Sequence, residues 1–364
     1  MSGEHLPGLY TFVYRSTPRP DRIRAAGGTV RYISKYSPTV TASIAGSKLL
    51  KLKNDPDLLH IEKDQTLSLP FYRVEKVIAT AKSLSNRKLS TQTVPWNIIR
   101  VLGRARLNGG KGIRVGVIDT GIDLNHPDLA ANIKGGVNFL APSGPPQDTN
   151  GHGTHVAGII GAINNHIGVV GVASKVSLYA IKVLNSSGTG ILSNLIRGIE
   201  WGIQHRMHIL NISIGGGKNI QPALVQAIRA AIRRGILIVA AAGNDGNPSG
   251  RGDTVEVPAR HPSVIAVASL NKNNTRETYS ATGNSIDISA PGTNILSTFS
   301  QKRYAVLKGT SMATAHVSGV LALLRQSFPS ESPQKLKQIL LRRAIDLPPK
   351  GFDPFTGAGL VQAL

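Results

Sequence analysis

Three residues of this 364-residue chain have the types needed for nucleophilic acyl chemistry, and each sits among glycines: Asp119 in DTGID, His152 in NGHGTHVAG and Ser311 in GTSMA. A serine hydroxyl attacks a carbonyl only when an imidazole takes its proton, and the imidazole needs a carboxylate to hold its tautomer. Each residue alone has an ordinary reading. Ser311 opens an apolar run and reads as a helix N-cap, while Asp119 reads as the cap of a turn after a strand. His152 and His155, three apart, read as a metal pair that lacks a third ligand. Taken together in the order Asp, His, Ser, they read as a triad. Ser311 then lies at a helix N-terminus, where unpaired N–H groups and the helix dipole favour developing negative charge.

The elements that must position these residues follow from periodicity. GIRVGVID, VSLYAIKVL, HILNIS, ILIVAAAG and VIAVASL are continuous, β-rich apolar runs separated by segments of helical spacing. That alternation predicts a parallel sheet covered by helices on both faces, with ligands at the carboxyl ends of its strands. Residues 9–64 read as a small αβ unit of strand, helix, two strands, helix and strand. A unit of about 60 residues buries little surface and needs a partner. The polar, basic stretch SLSNRKLSTQ lacks periodicity and predicts an exposed linker at the boundary between the two.

Composition narrows the function classes. The absence of cysteine excludes disulfides, cysteine-ligated metals and a cysteine nucleophile. The formal charge of +22 draws the chain toward anionic polymers, but the basic residues are scattered without aromatic interleaving, so no specific nucleic-acid site is expected. No secretory signal is read in residues 1–10, and no apolar run reaches membrane-spanning length. A cytoplasmic location is expected as the chain is written, or secretion if the start lies upstream or export is non-standard.

DTGID at 119–123, NGHGTHVAG at 150–158 and GTSMA at 309–313 resemble the three signatures of the subtilisin family of serine endopeptidases, and the likeness runs almost without a break from about Gln92 onward. The resemblance implies an α/β fold: a three-layer, parallel-sheet catalytic domain over 91–364, preceded by a small ferredoxin-like α+β propeptide domain over 1–64 and a linker with a processing site over 65–90. It implies an autoprocessed, monomeric proenzyme acting on protein or peptide substrates, with its own propeptide as intramolecular inhibitor. An idle binding protein that uses the fold as a scaffold for anionic polymers is the competing reading.

Residue by residue, AAAGND resembles the segment that supplies an oxyanion-hole asparagine, here Asn244. SIGGG implies a substrate-lining edge at Ser213, Ile214 and Gly215, faced by Gly188, Thr189 and Gly190. Leu192 and Leu195 fall where the family keeps an apolar pocket, although both also suit the core of the helix that follows. INNHIGV resembles the family's calcium loop, which implies structural calcium held by carbonyls of Ile163, Ile167 and Val169 and side chains of Gln92, Asp128 and Asn165. A weaker cation site falls near Ala259 and Val264.

Two positions depart from the family pattern. Ala315 stands where a proline is usual, behind the nucleophile. Glu256 stands where an uncharged residue is usual at the base of the primary pocket, with Asp245 near its rim; it either faces the pocket and attracts Lys or Arg, or is carried out to solvent by the preceding loop. Facing the pocket, it makes Arg87 and Lys88 natural self-processing positions, with a new chain starting near Leu89. LSLPFY, 67–72, also has some likeness to the short proline-containing stop that precedes intracellular subtilisins.

Overall fold

The computed structural model describes residues 7–70, 72–78, 92–105, 107 and 109–363. At the N-terminal end, β1 (Gly8–Tyr14), α1 (Pro20–Ala25), β2 (Thr29–Ile33), β3 (Thr39–Ile44), a 3-10 turn (Gly46–Lys51) and β4 (Leu58–Lys63) form a small α+β unit. Its antiparallel sheet has the order β2-β3-β1-β4. Phe12, Tyr14, Ile23 and Val40 form its core. The helix expected after Gly46 is a 3-10 turn over Gly46–Lys51.

Next come β5 (Thr66–Ser68) and β6 (Arg73–Ile78); SLSNRKLSTQ, the stretch expected to be an exposed linker, lies outside the described residues except for Gln92. The described part of 65–90 runs as strands along the larger domain: β5 pairs with β10 and β6 with β16, defined below.

The larger domain contains α2 (Trp96–Leu102), β7 (Arg114–Asp119), β8 (Ile133–Asn138), α3 (His152–Gly161), β9 (Ser177–Lys182), β10 (Thr189–Ile191), α4 (Leu192–Gln204), β11 (Ile209–Ile212), α5 (Pro222–Arg233), β12 (Leu237–Ala241), β13 (Ile265–Leu270), β14 (Ile288–Pro291), β15 (Ile295–Phe299), β16 (Arg303–Lys308), α6 (Thr310–Ser327) and α7 (Pro333–Arg342). Seven of these strands make one parallel sheet, ordered β14-β13-β12-β11-β7-β9-β8. Alternation sorts their side chains: Val115, Val117, Val239 and Val267 join the core shared with α3 and α6, while Ile118, Leu210, Ile238 and Ala266 join the core shared with α4 and α5. The three-layer α/β expectation holds. β8 and β14 escaped the apolar-run reading because one carries adjacent glycines and the other is four residues long.

The small unit docks on the N-terminal ends of α4 and α5 through carboxylates. Glu62 accepts the Ala223 N–H at 3.2 Å, and Asp64 accepts the N–H and hydroxyl of Ser193. Both carboxylates thus meet helix termini whose first N–H groups lack intrahelical partners. In the opposite sense, Glu200 on α4 accepts hydroxyls of Tyr32 and Ser34, each at 2.5 Å, and of Ser37 at 3.2 Å. Burial raises all three carboxyl groups above their ordinary range, Glu62 to about 7.

Candidate functional site

Asp119 is the last residue of β7 and His152 the first of α3, so the sheet's carboxyl edge and a helix start bring them together. His152 Nδ1 donates toward the carboxylate, 2.9 and 3.0 Å from its two oxygens. The carboxylate also accepts the Thr120 N–H at 2.7 Å. Ser311 lies in the first turn of α6, after Gly309, whose φ of +152° is one that side chains rarely adopt. Asp119, His152 and Ser311 are all fully buried.

His152 Nε2 and Ser311 Oγ do not bond to each other, and neither has a hydrogen-bond partner. The chain that follows β5 covers them. The Tyr72 ring lies 4.8 Å from the His152 imidazole, centroid to centroid, and its hydroxyl donates to Asn150 Oδ1 at 3.1 Å. Asn244, just beyond β12, has its amide orientation fixed by Thr310, whose N–H and hydroxyl donate to Oδ1 at 2.9 and 2.8 Å. This turns Nδ2 toward Gly309, where an added Cβ would come within 3.0 Å of it.

A cleft leads into this cluster, and β5 fills it. Ser68, Leu67 and Thr66 lie opposite Thr189, Gly190 and Ile191. On the other side Ser68 exchanges backbone hydrogen bonds with Gly215, and the Leu69 N–H donates to the Gly188 carbonyl at 2.9 Å. Leu67 joins the apolar cluster that holds Leu192, Leu195 and Ile214. Ser213 is buried, its hydroxyl 3.4 Å from the Ser311 carbonyl.

Glu256 is half-buried. Its carboxylate lies against two glycine backbones: a Cβ on Gly215 would fall 1.8 Å from one oxygen, and a Cβ on Gly243 2.7 Å from the other. Burial, then the negative charge of Asp245, raises its pKa to about 7, against the pull of a hydrogen bond from the Asn244 backbone.

A model of the Subtilase family matches residues 110–359, more than two thirds of the chain. The chain is 41% identical to the thermostable alkaline protease of Halalkalibacterium halodurans over 329 residues, 90% of this chain and 82% of that protein. It is 45% identical to Subtilisin Savinase of Lederbergia lenta, covering 75% of this chain and 98% of that one. Subtilisin E of Bacillus subtilis is 38% identical over 95% of this chain and 85% of its own length. The chain belongs to the subtilase family. It is a hydrolase, a subtilisin-like serine protease.

The expected cation ligands of this subtilase also converge. Gln92 Nε2 lies 2.5 Å from the Ile163 carbonyl, 2.8 Å from that of Val169 and 3.3 Å from Asn165 Oδ1. Asp128 bonds to Asn165 Nδ2 at 3.3 Å and to the Val169 N–H at 2.9 Å. Gln92 Oε1 is buried without a partner. An amide donor thus stands among carbonyl oxygens, and turning the Gln92 amide over makes its own oxygen another inward-facing ligand. This set of oxygens with a single carboxylate suits calcium. Ile167 is exposed and brings its N–H to Asn165 Oδ1 at 3.2 Å. Among the described residues no three His, Asp or Glu side chains cluster as metal ligands. His155 instead donates through Nε2 to the carbonyls of Ile295 and Ala305, and burial lowers its pKa to about 3. Ala259 and Val264 are buried in the apolar core.

Three contributors were absent from the sequence reading. Asp148 accepts the Thr120 hydroxyl and the N–H groups of Asn150, Gly151 and Thr154, so it ties the turn after β7 to the start of α3. The Asp-x-Asn-Gly pattern before a helix is the signal that could have found it. Lys182 donates to the Thr120 carbonyl, and its pKa is lowered by burial. Tyr72 lay within the supposed linker.

Proposed function

We propose that this subtilase is an endopeptidase that cleaves extended polypeptides with Ser311 as nucleophile, His152 as base and Asp119 as the carboxylate that orients the base. The observation that carries the reading is the short contact of His152 Nδ1 with both Asp119 oxygens, which leaves Nε2 without a partner, as Ser311 Oγ is. Ser311 attacks the scissile carbonyl as His152 accepts its proton. The resulting oxyanion is stabilised by Asn244 Nδ2 and the Ser311 N–H at the start of α6. The imidazolium returns the proton to the leaving amine, and water repeats the sequence on the acyl-enzyme.

Gly188, Thr189, Gly190 and Gly215 hold the substrate backbone as a strand, in the manner that β5 now occupies the cleft. Ser213 and Ile214 carry that edge, and Leu192 and Leu195 line the pocket that takes Leu67. Glu256 selects Lys or Arg before the cut. Residues 1–64 are an inhibitory propeptide, with 65–72 as the segment that blocks the triad. Arg87 and Lys88, outside the described residues, are the proposed release point. A calcium ion held by Gln92, Asp128, Asn165 and the carbonyls of Ile163, Ile167 and Val169 would tie the start of the catalytic domain to the loop after α3.

Mass spectrometry of the expressed chain beside its Ser311→Ala variant, combined with fluorophosphonate labelling, tests the reading. Self-cleavage and labelling that both vanish in the variant are expected. An unlabelled, uncut chain would favour the idle binding scaffold.

A further inference from the structure

The path out of the triad is as well formed as the path in. Past Tyr72 the chain becomes β6 and pairs antiparallel with β16, from Arg73 opposite Lys308 to Ile78 opposite Tyr304. Residues 66–70 and 72–78 therefore meet, in order, three protein surfaces: β10 with Gly215, then His152, then β16. β15 takes the other side of β16, so the side paired with β6 is the edge that a chain leaving the cleft meets.

The side chains of β6 contribute little to this contact. All of its residues except Ile78 are exposed, including Val74 at 39% and Val77 at 44%. What remains is main-chain pairing, Ile78 at the far end packed against the core, and an ion pair of Lys308 Nζ with Glu75 at 3.9 Å, Glu75 being the extra residue where the register shifts. An edge that grips backbone without enclosing side chains accepts many sequences, and it stands unpaired whenever β6 leaves.

We infer that the edge of β16 is a docking strand for substrate: an extended polypeptide takes the place of β6, held by its main chain from about the third residue beyond the cut onward. The inference rests on the endopeptidase reading. Side-chain preference on this track is limited to an acidic residue in the position of Glu75, facing Lys308, and an apolar one in the position of Ile78.

The test uses the full chain as it is purified after expression, with Ser311→Ala as control, and peptides that share one sequence before the cut but carry a short or a long extension after it. Peptides reaching as far as Ile78 reaches are expected to show kcat/KM at least about 10-fold above those that stop at the position of Tyr72, the yield of a few backbone hydrogen bonds. N-methylation of the residues whose N–H groups face β16 should remove the gain and methylation of those facing away should keep it, because N–H groups alternate along a strand, with one step in the alternation at the position of Glu75. Lys in place of Glu at the position facing Lys308 should cost roughly two- to fivefold. Equal rates for short and long peptides, or a gain indifferent to both methylation patterns, overturn the docking strand and leave the endopeptidase reading intact. Absence of Ser311-dependent hydrolysis with every peptide overturns the reading beneath it.

Discussion

Ser68 and Gly215 exchange a pair of backbone hydrogen bonds, 3.3 Å from the Ser68 N–H and 3.0 Å from the Gly215 N–H. Together with the Leu69 bond to Gly188, they place residues 66–69 as a central strand between two protein edges. A peptide with the sequence of 65–72 is therefore expected to inhibit the processed enzyme competitively. Methylating its Ser68 nitrogen deletes one of these bonds and should raise Ki about 2- to 10-fold, the net worth of one hydrogen bond. Inhibition kinetics of the two peptides check this; equal Ki values would mean that the peptide binds elsewhere.

With Glu256 in the proposed role, the primary pocket carries a charge that depends on pH. The Glu256 pKa, raised to about 7 by burial and by Asp245, leaves the carboxyl protonated in acid and ionised in mild alkali. A cationic side chain pairs only with the ionised form. The ratio of kcat/KM for an Arg substrate over its Leu counterpart should thus rise as pH rises through about 7 and then level off, while titration of the catalytic base cancels in the ratio. Glu256→Gln should abolish the step and lower the alkaline ratio by roughly 10- to 100-fold, the value of a charge-assisted bond. A flat ratio in the parent enzyme would remove Glu256 from substrate selection.

The legibility of this chain follows the range of its interactions. β7, β9, β11, β12 and β13 could be read because strands buried on both faces leave continuous apolar runs. Asp119, His152 and Ser311 could be read as a set because glycines let backbone crowd around each of them: a Cβ on Gly153 would fall 3.1 Å from Asp119 Oδ1. Of the track 65–78 only LSLPFY was legible, through its likeness to a proline-containing stop, and the strand pairing on either side of it was not. β6 is polar and exposed because its pairing uses main chain, and main-chain pairing leaves no periodicity in sequence. Glu256 stood undecided between pocket and solvent for a related reason, since its direction depends on loop geometry and not on residue type.

The contact between the small unit and helices α4 and α5 should weaken in alkali. Burial raises Glu62 to about 7 and also raises Asp64 and Glu200. A carboxyl group whose pKa is higher docked than free holds its proton more tightly when docked. Its favourable contribution is therefore complete below the free value near 4.5 and is lost as pH rises through the docked value near 7. Release of the segment that ends at Lys88, once cleaved, should accelerate severalfold between pH 5 and 8, followed by return of activity. Glu62→Gln should flatten that profile, and a profile unchanged by the substitution would assign the pH dependence to another group.

Calcium should stabilise the larger domain through Gln92, Asp128 and Asn165. A ligand present at about 100 times its Kd adds about 2.7 kcal/mol to the folded state. For a domain of this size that corresponds to roughly 5–10 °C in Tm. Thermal melts are best run on Ser311→Ala, where self-digestion does not compete. Chelation should lower Tm by that amount, and excess calcium should restore it. Asp128→Asn removes the single carboxylate of the set and with it most of the attraction for a divalent cation, so the variant should gain little from calcium. The substitution also alters the acceptor of the Tyr304 hydroxyl bond, 2.9 Å long, and so lowers Tm by itself. The decisive quantity is accordingly the difference between melts with and without calcium. An undiminished difference in Asp128→Asn would place the stabilising ion at another site.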